Sequence, residues 1–186
     1  SMPICTPARV TLLTGQYPFR HGWTTHYEVS RQGGTGLQPD RFTTFARVLR
    51  DNGYSTVIGG KWQVNHLGKQ PNVLKEHGFD EHCVWPGAEA GKPETETRYW
   101  KGFLQANGRR GTTAYGPYSI NEYLINFIQR HKDRPFLVYY PMLLAQDPHT
   151  FTPLNREKKP EGKTALYAGN VTYADHLVGR LVAVVD

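Results

Sequence analysis

Cysteine is scarce in this chain of 186 residues, which carries only Cys5 and Cys83. A disulfide scaffold is thereby excluded, since small stapled folds need several bridges. Two thiols say nothing about redox compartment. Long apolar runs are missing too. The longest, Phe136 to Ala145, is interrupted by Pro141 and is about half of the ~20 residues that a membrane helix needs, so no membrane partner is expected. There is no internal repeat and no low-complexity tract. With 38% hydrophobic and 12% aromatic residues, the chain is too apolar to be disordered. It also lacks a basic stripe of helix length, zinc-finger spacing and an aromatic RNA-binding motif, so nucleic acid is not an expected partner. Finally, Ser1-Met2-Pro3-Ile4-Cys5 reads neither as a signal peptide nor as a usual chain start, and Val178 to Asp186 stops within an apolar pattern. The expectation is a chain incomplete at both ends.

What is present is one domain's worth of chain, rich in Gly (19) and Pro (13), with a net charge of +6. That balance suits an anionic partner such as nucleic acid, a polyanionic sugar or a small sulfate or phosphate ester, although a mildly basic solvated surface accounts for it more simply. Pro7 to Thr14 reads as a helix, with Pro in the first turn and Gly15 as the cap. The stretch 31–36 reads as a linker. A second helix is expected over about Thr43 to Asn52, and a short buried strand over Tyr54 to Gly59. Lys69 to Pro117 reads as a long irregular excursion near the substrate, whose Trp85, Tyr99, Trp100 and Tyr115 either stack on sugars or fill a loop core. A third helix covers Ser119 to His131, a strongly buried strand Phe136 to Tyr140, and a last helix Tyr167 to Val185. This alternation predicts an α/β fold with a mainly parallel central sheet flanked by helices. In such sheets sites gather beyond the carboxyl ends of strands, which places Lys61 and His149 on one edge.

Cys5 at the start of a helix meets backbone N–H groups that favour negative charge. Arg9, four residues on, lies on the same face one turn along. A nucleophile beside a fixed guanidinium suits attack on an anionic ester. On spacing alone, a small buried Cys beside a surface Arg fits better. His26, His82, His131, His176 and Cys83 read as structural, and the Asn170-Val171-Thr172 sequon is discounted because it falls in a helix.

The longer string Pro3-Ile4-Cys5-Thr6-Pro7-Ala8-Arg9, followed by Leu12-Leu13-Thr14-Gly15 and Tyr17-Pro18-Phe19-Arg20-His21-Gly22, resembles the first signature of the type I sulfatases of the alkaline phosphatase superfamily. Gly53-Tyr54-Ser55-Thr56 with Gly60-Lys61-Trp62 is similar to their second signature. Gly78-Phe79-Asp80, the Phe136 strand leading to Pro148-His149, and Asp175 to Leu181 follow in family order. The resemblance implies a sulfuric ester hydrolase whose Cys5 is oxidised to formylglycine by a formylglycine-generating enzyme. One oxygen of the hydrated aldehyde attacks sulfur; the other hydroxyl then loses its proton and expels sulfate. The resemblance further implies a divalent cation, usually calcium, with the modified Cys5 among its ligands. It gives Arg9 the task of orienting the nucleophile, Lys61 contact with sulfate and the ester oxygen, and His149 contact with sulfate or protonation of the leaving group. Gln63 and His21 are implied substrate contacts, although His21 could equally pin its loop. A sulfated carbohydrate is the implied substrate class, and a periplasmic, secreted or lysosomal setting the implied location.

Two departures stand out. The family pattern has His where this chain has Gln63, which can hydrogen-bond but cannot accept a proton at neutral pH; His66 could substitute if the loop bulges. The family's metal-binding Asp-Asp pair lies upstream of the motif Cys, and an Asp-Asn pair and second Lys lie downstream, so the 186 residues are expected to be a partial catalytic domain, inactive alone. A phosphodiester or phosphonate monoester hydrolase of the same superfamily, and a non-catalytic binder of sulfated glycans, stay open as alternatives.

Overall fold

The computed structural model describes residues 2–27, 36–91 and 94–185. Most of the expected linker, 31–35, lies outside the described residues. Helices α1 (Cys5–Thr14), α2 (Pro18–His21) and α3 (Phe45–Asp51) precede strand β1 (Ser55–Lys61). Then come α4 (Val73–Glu76), β2 (Glu81–Trp85), α5 (Glu94–Thr97), the hairpin β3 (Phe103–Ala106) and β4 (Arg109–Thr112), α6 (Gly116–His131), β5 (Phe136–Tyr139) and α7 (Lys163–Val185). The five strands form one sheet in the order β4-β3-β2-β1-β5. β1 runs parallel to both β2 and β5, while β3 joins β2 and β4 antiparallel. The α/β fold is thus a parallel core of three strands extended by an antiparallel hairpin.

Alternation along the strands sends side chains to two cores. Ile58 and Val84 join Val10, Leu13, Trp62 and Phe79 on the α1 side. Val57, Cys83 and Trp85 join Ile120, Leu124, Phe127, Tyr173 and Leu177 under α6 and α7. Sheets covered on both faces in this way read as continuous apolar runs, as β1 and β2 do. Two glycines let β1 be buried. A Cβ on Gly59 would lie 2.8 Å from Leu124 of α6, and one on Gly60, at φ 127, would lie 2.1 Å from the carbonyl oxygen of Pro141. Only glycine tolerates both the contact and the dihedral.

The Gly-Tyr-x-Thr and Gly-Phe-Asp motifs meet at the start of this core. Thr56 Oγ1 donates to Gly78 O at 2.6 Å and accepts from Asp80 N at 3.0 Å, while Thr56 N donates to Asp80 Oδ2 at 3.0 Å. These motif residues register β1 against β2 rather than touching a substrate. Thr56 is fully buried, so Thr56→Val strands its partners, and we expect a loss of about 1–3 kcal/mol of folding stability, read as a lowered urea midpoint.

Two expectations are corrected here. Lys69 to Pro117 is not an irregular excursion: it supplies α4, β2, α5, β3 and β4. Of the two roles left open for its aromatics, Trp85, Tyr99 and Tyr115, at 2–3% exposed, take the core one. The strand at Phe136 is also not strongly buried. Among the described residues β5 stands last in the sheet order and its four residues are half-buried, because no described strand pairs with its second backbone edge.

Candidate active site around Cys5

Cys5 is the first residue of α1, whose N-cap, Ile4, offers no side-chain hydrogen bond. The N–H groups of the first turn therefore stay available to negative charge at Cys5. Thr6, buried completely, ties this helix start to two other segments. Its hydroxyl donates to Gln63 O at 3.1 Å and accepts from Tyr27 N at 2.8 Å.

Lys61 ends β1, in register with Trp85, and is 1% exposed. Its Nζ lies 3.6 Å from Cys5 Sγ, donates to Gln146 Oε1 at 3.0 Å, and sits 5.9 Å from the centre of the Trp85 ring. Gln146 Nε2 in turn lies 3.9 Å from Cys5 Sγ. Arg9, one turn into α1, donates from Nη1 to Lys61 O at 2.6 Å. Burial pulls the Arg9 guanidinium below its ordinary range, opposed by the hydroxyl of Tyr139 and by Cys5; a guanidinium stays charged under such a shift. Arg9 Nε is buried without a hydrogen-bond partner among the described residues. Cys5, Arg9, Lys61 and Gln146 thus form one contiguous cluster with two cations against one sulfur.

His149 follows three residues after Gln146 on the same loop. Its Nε2 is 3.8 Å from Asp147 Oδ1, its ring packs 5.1 Å from that of Tyr167, and its side chain is 8% exposed. Nδ1 is buried without a hydrogen-bond partner among the described residues. The loop is held from two sides. Arg98 Nη1 donates to Asp147 O and Tyr99 Oη to Gln146 O, both at 2.5 Å, and Trp100 Nε1 donates to Phe151 O at 2.8 Å. From α7, Asn170 Nδ2 donates to Thr150 O at 2.5 Å. Asn170, the residue of the discounted sequon, is fully buried.

The other candidates divide. Gln63 stands in the left-handed region at φ 54, and its amide nitrogen bonds the Nε2 of His26. His66 does not take its place: its Nδ1 accepts from Lys69 N at 3.1 Å and lies 3.3 Å from Glu89, where a tight turn and a carboxylate hold it. His21 is engaged within its own turn, bonding Thr11 Oγ1 through Nε2 and accepting from Trp23 N through Nδ1, both at 3.0 Å. Burial lowers its pKa. The other sequence thiol, Cys83, is pushed up to about 12 by burial and is inert at neutral pH. No role was read for Gln146 or Thr6 in the sequence, and His26, read there as structural, instead meets Gln63. For Gln146 there was one signal, its position past the carboxyl end of β5.

The donor set does not fit a calcium ion, which takes six to eight oxygens. Around Cys5 stand an ammonium, a guanidinium and amides, and among the described residues no group of three or more His, Cys, Asp or Glu could hold a metal. No helix of the described residues is long and apolar enough to cross a membrane.

A match to the Sulfatase family spans residues 1–186. N-acetylgalactosamine-6-sulfatase of Canis lupus familiaris is 27% identical over 99% of this chain and 38% of its own length. Arylsulfatase H of Homo sapiens is 40% identical over 45% of this chain and 14% of its own length. The chain thus spans well under half the length of these curated relatives. The crystal structure of Ps i-CgsB superposes with a TM-score of 0.77 over 98% of this chain and 44% of that one, at 23% identity, and so shares the fold. With the family match covering every residue, the chain belongs to the sulfatase family.

Proposed function

We propose that this chain carries the nucleophile side of a sulfatase site that cleaves sulfate monoesters. The observation that carries the reading is the buried ammonium of Lys61 at 3.6 Å from Cys5 Sγ, with Arg9 fixed behind it. Oxidised to formylglycine by a generating enzyme, Cys5 would supply a hydrated aldehyde that attacks sulfur and later releases sulfate by elimination, the nucleophilic route that a thiol alone lacks.

The chain's own residues do the rest. Lys61, poised in a low-dielectric setting, stabilises charge on the sulfuryl oxygens and on the ester oxygen as it leaves. Arg9 offers its unpartnered Nε to an oxygen of the nucleophile and keeps Lys61 in place through the Lys61 carbonyl. Gln146 fixes the ammonium's direction. His149, with one ring nitrogen held toward Asp147 and the other unpartnered, can donate a proton to the departing alkoxide. His21 stabilises its loop and does not join the substrate contacts.

A sulfated carbohydrate is the substrate class we favour, supported by the relative named as an N-acetylgalactosamine-6-sulfatase and by the net charge of +6. Calcium-binding carboxylates would have to come from outside the described residues. A periplasmic, secreted or lysosomal setting accompanies this reading.

The test is mass mapping of the Cys5 peptide from the native source, with rates on an aryl sulfate and an aryl phosphodiester. We expect CH2–SH replaced by CHO at Cys5 and faster sulfate cleavage. An unmodified thiol with glycan binding but no turnover would overturn the reading, and a preference for the phosphodiester would redirect it to that reaction.

A further inference from the structure

The residue that stands in the usual histidine position of the second signature is Gln63, and the structure gives it a partner. Its amide nitrogen bonds His26 Nε2. With the amide in this orientation its nitrogen donates and the imidazole nitrogen accepts, which corresponds to a ring whose proton is on Nδ1. The opposite end of the amide, Oε1, is buried with no hydrogen-bond partner among the described residues. A buried carbonyl left in that state is costly, and Gln63 also sits at φ 54, a backbone region that disfavours a long side chain. Unsatisfied groups and unusual dihedrals together mark places where a structure awaits a ligand.

The surroundings point to which ligand. Gln63 O accepts from Thr6 Oγ1, next to Cys5, and Tyr27 N donates to that same hydroxyl. Lys61, two residues before Gln63, reaches Cys5 Sγ. His26 and Gln63 are therefore clamped against the residue that follows the nucleophile. Resting on the sulfatase reading, we infer that His26 is a positioning residue: it fixes the amide of Gln63 so that Oε1 accepts a hydrogen bond from a hydroxyl of the Cys5-derived nucleophile. Reversing the amide would place a donor where an acceptor is needed. The ring of His26 acts through its lone pair and not by taking the nucleophile's proton.

Two variants and one spectroscopic readout test this. In the 15N spectrum of the protein, neutral His26 should carry its proton on Nδ1, and Gln63→Leu should move it to Nε2. His26→Gln, which can still accept from Gln63, should keep kcat close to wild type. His26→Leu should lower kcat about tenfold with KM unchanged, the size of one lost orienting bond. Equal loss in both variants would overturn the inference in favour of proton transfer by the imidazole. No loss in either, or a wild-type ring protonated on Nε2, would overturn it outright. A wild-type protein that never cleaves a sulfate ester, despite the expected tautomer, removes the sulfatase reading and with it the role given to His26.

Discussion

Lys61→Met should lower kcat/KM on a sulfate ester by about 10²–10³-fold, the scale of removing one preorganised charge-stabilising donor. The side chain is 1% exposed, and its ammonium is directed by Gln146 at 3.0 Å toward Cys5 at 3.6 Å. Water cannot replace it there without opening the core beneath Trp85. Folding should respond differently. A buried ammonium carries a desolvation penalty, and replacing it by an apolar side chain of similar volume is often neutral or stabilising. We therefore expect a urea midpoint at or above that of the parent. An inactive variant with a lowered midpoint would assign Lys61 to the scaffold, and an active one would remove it from the chemistry.

Stability should also fall steeply in mild acid. Burial, assisted by Arg47 and opposed by the hydrogen bond to Leu37, holds His77 at about 4. Burial alone holds His82 at about 4. Both titrate near 6.5 when unfolded. Because the folded values are depressed, the unfolded chain binds more protons below pH 6.5. The stabilising contribution is complete above that pH and is lost as pH falls toward 4, reaching about 3 kcal/mol for each ring. Urea midpoints at pH 7.5 and 5.0 should therefore differ strongly, and His82→Gln should reduce the difference. Glu81, held below its ordinary range first by its hydrogen bond to Arg130, adds acid lability only below the carboxylate range, so pH 5 to 7 reports the histidines. A flat profile over that interval would refute the assignment.

The helices were legible because their signals are local. Gly15 takes the left-handed cap of α1 at φ 67, and Ile120, Leu124, Phe127 and Ile128 mark one buried face of α6. The hairpin of β3 and β4 was missed although Asn107-Gly108, at φ 46 and 81, is the two-residue turn that such hairpins favour. β4 is exposed along its whole length, so Arg109 to Thr112 shows none of the apolar alternation that announces a strand. The burial of β5 was overestimated for a related reason. Its composition is that of a core strand, but burial depends on neighbours, and among the described residues β5 stands last in the sheet order.

Within the site the division is the same. The sequence by itself placed Cys5 and Arg9 on one helix face, because four residues on a helix fix a shared face whatever surrounds it, and it placed Lys61 just past a buried strand ending at Gly59, a strand that the structure carries on through Lys61. Only the tertiary structure decided that Gln146, 141 residues from Cys5, directs the ammonium, that His26 and not His66 meets Gln63, and that Arg98, Tyr99 and Trp100 hold the loop of His149. These contacts join the ends of strands and helices far apart in the chain. No periodicity encodes them, since they exist only after the parallel pairing of β1 with β5 has brought two loops to one edge of the sheet.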